Sequence, residues 1–212
     1  MKYFLLLSLI LEIIEHPVYH LIRKFMNCTK TKLTKFIQHL SHEIDDKKKA
    51  EEYIENAIPF IGLIIMYFNS LESSLDSVLC ENFTDRTDST GLIVLNKMGF
   101  STKIDLLKRF CDDFQFSLDK ELDGYERLIN DLKESARLRN LIAHANWEST
   151  NEEGYTFVRL KMSKNGMQQE YVQFTEESLQ KIIELILKTS SNLSDFWEHR
   201  NNVLYDRKIP ER

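Results

Sequence analysis

Proline and glycine are scarce in this chain, three and six in 212 residues, which excludes collagen-like, proline-rich and glycine-linker architectures. Cysteine is scarce as well. Cys28, Cys80 and Cys111 are an odd number at wide spacings, without the close pairs that mark zinc sites or redox motifs, so reduced thiols are expected rather than a disulfide framework. A basic excess is also missing: the formal charge is -5, so the molecule as a whole does not attract nucleic acid, and any such contact must be local. The imbalance is uneven, because residues 1–50 hold nine Lys and Arg against five Asp and Glu, a net of +4 that leaves -9 for the rest. There is no phosphate-binding glycine loop, nucleophile elbow, internal repeat or low-complexity tract. What is present is 42% hydrophobic residues, enough for a sizeable core.

That apolar content is patterned mostly as helix. Residues 3–25 read as one helix re-aimed at Pro17, and residues 1–45 as an N-terminal extension with a basic, threonine-rich stretch from Asn27 to Lys35. Met1 to Leu11 is similar to the start of a signal peptide, but Glu12 and Glu15 interrupt it and no small-residue cleavage site follows. It is also too short to span a bilayer. An amphipathic or partner-facing helix without stable membrane insertion is the expectation. A domain of residues 46–200 follows, and a polar tail of 201–212. Ile64, Phe68, Leu71, Leu75, Val78 and Leu79 recur at helical steps between Asp46 and Phe83, with a kink or split expected at Pro59 and Gly62. After a short helix stopped by Gly99, Ser101 is the expected N-cap of a helix carrying Ile104, Leu107 and Phe110.

A helix from about Leu118 to Asn146 then carries Tyr125, Ile129, Leu132 and Ala136 as its apolar stripe. Between residues 147 and 174 the period changes to alternation, and Asn165-Gly166 suits a type I′ hairpin turn. With those two as the loop, Lys161 faces Glu170, Leu160 faces Tyr171 and Phe157 faces Phe174. Thr175 opens the last helix, whose buried side is Leu179, Ile182, Ile183, Ile186 and Leu187. The fold class is therefore mainly α: an up-and-down bundle of four to five helices with a β-hairpin inserted before the last one.

The chemistry concentrates in Arg137-Leu138-Arg139-Asn140-Leu141-Ile142-Ala143-His144. Arg139 lies seven residues beyond Leu132 and three beyond Ala136, on the apolar stripe, where an unpaired charge is costly and must meet a carboxylate, a wet cleft or a ligand anion. Asn140 and His144, four apart, share the neighbouring edge. The amide can orient the imidazole, the side chain whose ordinary pKa lies nearest neutrality, while the guanidinium offers a planar fork to phosphate. The alternative on spacing alone is an ion pair between Arg139 and a carboxylate of the first helix such as Glu72, with His144 a satisfied helix C-terminal residue.

The string Arg139-Asn140-Leu141-Ile142-Ala143-His144 resembles the arginine, polar residue, three more, histidine signature of the HEPN superfamily. Phe100-Ser101-Thr102-Lys103-Ile104-Asp105-Leu106-Leu107 is similar to the turn and helix preceding it in many such domains. The resemblance spans about residues 50–200. It implies a metal-independent endoribonuclease without cofactors, often a cytoplasmic component of toxin–antitoxin, abortive-infection or antiphage systems, with its cleft across a homodimer. In that picture His144 is general base or acid for attack of the RNA 2′-hydroxyl on its phosphate, Arg139 neutralises the phosphate and Asn140 orients the histidine. A nucleotidyltransferase or antitoxin partner is also implied. However, Asn146 stands where some toxin members carry an adenylylated tyrosine, and many members are non-catalytic modules binding nucleic acid, nucleotide or protein.

Supporting candidates are Glu72 as a carboxylate behind the site, and Lys103, Arg137 and Trp147 as RNA contacts, with Lys108 and Arg109 nearby. His16, His20, His39 and His42 lie in the extension, but no third and fourth ligand has zinc spacing, so no metal is expected.

Overall fold

A computed structural model describes residues 34–38, 43–83, 89–119, 121–164 and 166–205. The expected helix over residues 3–25 and the histidines His16, His20, His39 and His42 lie outside them, as does Cys28. The described elements are strand β1 (Thr34–Gln38), helices α1 (Lys47–Cys80), α2 (Ser89–Leu95), α3 (Phe100–Leu118) and α4 (Tyr125–Ala143), a 3-10 turn (Trp147–Ser149), strands β2 (Tyr155–Ser163) and β3 (Gly166–Gln173), and helix α5 (Glu176–Tyr205). The chain is thus mainly helical with an antiparallel hairpin before its last helix, the fold class read from the sequence.

α1 starts where Asp46 accepts a hydrogen bond from the Lys49 backbone N–H at 3.1 Å, the usual capping geometry for aspartate. It then runs unbroken through Pro59, so the helix is not split there. Pro59 and Gly62 are both solvent-exposed, so water can serve the carbonyl that loses its donor at the proline. The opposite face buries Ile64, Phe68, Leu71, Leu75 and Leu79 completely. By length and composition α1 could cross a membrane, yet here it is the helix against which α2, α3, α4 and α5 all pack.

α3 begins one residue after Gly99, which is extended at φ -71°, ψ 157° and offers no side-chain cap, so Ser101 is inside the helix rather than its cap. Phe100 explains the shift: it is buried and its ring lies 4.7 Å from that of Phe68, so its packing against α1 draws the first turn into the core. α4 is shorter than its periodicity suggested, because Asp119 and Gly124 both take positive φ and separate it from α3. It buries Tyr125, Leu128, Ile129, Leu132, Leu138 and Ile142. α5 opens with Thr175 Oγ1 accepting from the Ser178 backbone N–H at 3.1 Å, and its helix continues through residues 201–205, which the sequence assigns to the tail.

The sheet has the order β1-β3-β2, all antiparallel. β1 falls within the segment expected to precede the domain, and it makes the hairpin a three-stranded sheet. The hairpin register also differs from expectation. Ser163 pairs with Gly166, Leu160 with Gln169 and Arg159 with Glu170; beyond a bulge at Val158, Phe157 pairs with Tyr171. Gly166 explains this, since its φ of +97° occurs at the first residue of β3 and not inside the loop. That puts the left-handed residue at the strand, not at the second loop position of a type I′ pair.

One contact locks α1 to the sheet. The Tyr53 hydroxyl donates to the Phe174 carbonyl, and its ring fills the space where a side chain on Gly154 would begin. Gly154 also has φ +83°. Gly154→Ala therefore meets backbone strain and overlap together, and is expected to cost about 3 kcal/mol, read as a melting point about 10 °C lower.

Candidate functional site

The last turn of α4 carries the motif. Arg139 is half-buried, with its guanidinium carbon 4.1 Å from the centroid of the Phe68 ring on α1. This stacking geometry gives a cation one favourable face without a counter-ion. Its Nε is buried and has no hydrogen-bond partner, and no carboxylate meets the guanidinium among the described residues. Glu72 does not fill that role, because it is held by Lys103, whose Nζ lies 2.9 Å from Glu72 Oε1 and 2.8 Å from Asp76 Oδ1. The ion-pair alternative for Arg139 is thus absent among the described residues.

Asn140 and His144 are both exposed. His144 is the C-cap of α4, at φ -107°, ψ 2°, and its backbone N–H donates to the Asn140 carbonyl at 3.1 Å. No side-chain hydrogen bond joins the Asn140 amide to the imidazole among the described residues. The arrangement is therefore one anchored, unneutralised guanidinium beside an amide and an imidazole open to solvent.

The expected RNA contacts fare differently. Lys103 is buried at 6% exposure and held by two carboxylates. Burial alone would lower its pKa, but the bonds to Asp76 and Glu72 outweigh that and raise it, so it serves the α1–α3 contact and is not free for phosphate. Trp147 is half-buried, its ring 5.1 Å from that of Phe174, and its Nε1–H donates to the Ile142 carbonyl at 3.0 Å. It satisfies a helix-end acceptor and closes the bundle below the motif. Arg137 stays at the surface and makes a two-nitrogen pair with Glu134, both at 2.7 Å.

A second charged cluster lies on the sheet: the expected register sets Lys161 opposite Glu170, whereas Lys161 faces Gln168 and reaches Glu170 only diagonally. Glu170 is buried at 2% exposure and is met by Arg159 Nε at 2.6 Å and Lys161 Nζ at 2.9 Å. Burial pushes its carboxyl up, but the bonds from Arg159 and Lys161 prevail and hold it down at about 2. A carboxylate depressed in the folded state contributes stability that is complete above the unfolded pKa, near 4.5, and is lost as pH falls toward 2. That contribution is about 3 kcal/mol at neutral pH. The acid-induced drop in melting point between pH 5 and pH 3 is expected to shrink in Glu170→Gln.

The remaining chemistry-bearing side chains sit apart. Cys80 and Cys111 are buried thiols, and burial pushes that of Cys111 up to about 12, which keeps it unreactive. A cavity of about 440 Å³ lined by Asp76, Leu92, Ile93, Asn96, Met98 and Lys103 contains none of the motif residues. Among the described residues no group of three or more His, Cys, Asp or Glu is placed to hold a metal ion. No family model, curated protein or solved structure matches this chain.

Proposed function

We propose that the chain is a metal-independent endoribonuclease of the HEPN type, a cytoplasmic toxin or antiphage-defence component that cleaves RNA at the cleft of a homodimer. The observation that carries this reading is Arg139: a guanidinium stacked on Phe68, with a buried Nε and no carboxylate partner among the described residues, on the same helix end as an open imidazole. A half-buried cation lacking a counter-charge is a site for an anion supplied from outside.

The chemistry follows from those groups. The His144 imidazole takes the proton of a ribose 2′-hydroxyl, and the freed oxygen attacks the adjacent phosphorus. The bond from phosphorus to the 5′-oxygen breaks, leaving a 2′,3′-cyclic phosphate on one fragment and a 5′-hydroxyl on the other, the leaving oxygen taking a proton from an imidazolium. Arg139 neutralises the charge that builds on the phosphoryl oxygens. Because Asn140 and His144 face solvent on a single chain, a second copy of α4 closes the cleft and supplies the second imidazole. Asn140 then orients its histidine when substrate excludes water.

The absence of an Asn140–His144 side-chain bond favours a second reading, a non-catalytic module that binds nucleic acid, nucleotide or a protein partner in the same cleft. Expression in a bacterial host separates the two. Growth arrest with RNA breakdown, relieved by His144→Ala, is expected for the nuclease. Equal effects of wild type and His144→Ala, with all RNA intact, would leave the binding module.

A further inference from the structure

Glu170 holds two cations with one charge. Arg159 and Lys161 both bond its Oε2, so one positive charge stays uncompensated, and it lies at the surface because their side chains are 56% and 40% exposed. No other acceptor binds either cation among the described residues. The bulge at Val158 sets this up. Phe157 opposes Tyr171, but one residue of slippage makes Arg159 oppose Glu170, turning Arg159 and Lys161 to the other side of the sheet. Bulges commonly re-aim side chains in this way beside functional sites.

That side also carries Val172, two residues along β3 from Glu170 and part of the hydrophobic core. The Asn146 backbone N–H, two residues past His144, donates to the Phe157 carbonyl at 2.9 Å, and the Phe157 N–H donates to Ser149 Oγ at 3.0 Å. β2 is therefore tied to the end of α4, and Arg159 and Lys161 follow that tie along the strand at about 6.6 Å per two residues. On α4, Arg137 lies two turns before His144 on the same face, and the Glu170 carboxylate acts on Arg137 as well, adding to the larger effect of Glu134. Two cation heads thus meet one buried carboxylate, while Arg137 keeps its own partner in Glu134.

We infer that Arg159 and Lys161 form a phosphate rail on the hairpin, which holds the sugar–phosphate backbone of single-stranded RNA leading to Arg139 and His144. The inference rests on the ribonuclease reading and assigns its substrate track to the inserted hairpin. Glu170 acts as the post that fixes the spacing of the two strand cations.

The test uses the full chain carrying His144→Ala, so that RNA is not consumed, and a fluorescent oligouridylate titrated at graded salt. Removing both cations alone would strand a buried carboxylate, so Glu170→Gln is introduced first and folding is checked by thermal melting. In that background Arg159→Gln with Lys161→Gln is expected to weaken binding several-fold and to lower the slope of log K against log salt by about 0.7 per lost phosphate contact. Glu170→Gln alone, by freeing two cations, is expected to bind more tightly than its parent. An unchanged slope in the folded multiple variant, while the parent binds RNA, would overturn the rail and leave the nuclease reading standing. Failure of the His144→Ala parent to bind any RNA would overturn both.

Discussion

His144→Ala is expected to lower RNA cleavage by about 10²–10⁴-fold, the usual contribution of a positioned general acid or base, with little loss of stability. The imidazole is exposed, and the interaction it makes with the fold is through its backbone N–H, which alanine retains. Purified wild type and variant compared on one RNA, with melting curves alongside, check both halves. A variant that cleaves at the wild-type rate would remove His144 from the chemistry.

Arg139→Ala is expected to cost about 10²–10³-fold in cleavage, the scale of losing a donor aimed at developing charge. Its effect on stability separates a site from a scaffold. If Arg139 were paired with a carboxylate, its removal would strand a buried charge and cost about 3–5 kcal/mol. Stacked on Phe68 without a counter-charge, it gives up about 1 kcal/mol of cation–π attraction. Arg139→Lys should fall between wild type and alanine, since lysine keeps the charge but loses the planar fork and the stack. A strongly destabilised Arg139→Ala would mean the residue serves the fold.

How much of this was legible in the sequence depends on whether a feature is local. The buried stripes of α1, α4 and α5 were readable because each is long enough for the 3.6-residue period to repeat several times. The position of Arg139 on the stripe of α4 came from the same period, and the structure places it half-buried over Phe68. β1 was not readable: Thr34–Gln38 is five residues that overlap the end of a basic, threonine-rich stretch, too short for alternation to stand out. The hairpin itself was, but its register was not, since nothing in the sequence says whether Gly166 closes the loop or opens the strand, or that Val158 bulges.

Lys103 failed for a different reason. On its own helix it is one charge among several, and only the approach of α1, about thirty residues earlier in the chain, puts Glu72 and Asp76 on it. The same contact removed Glu72 from Arg139. Trp147 likewise shows its role only when Phe174 arrives beneath it. Helix propensity and period are local signals, whereas ion pairing between elements is decided by packing.

The most direct test of the account is incubation of the purified chain with a defined single-stranded RNA in the presence of a metal chelator, with the termini of any fragments identified by mass spectrometry. The account predicts fragments ending in a 2′,3′-cyclic phosphate and beginning with a 5′-hydroxyl, formed by wild type and absent with His144→Ala. Intact RNA, or fragments carrying 3′-hydroxyl and 5′-phosphate ends, would contradict it.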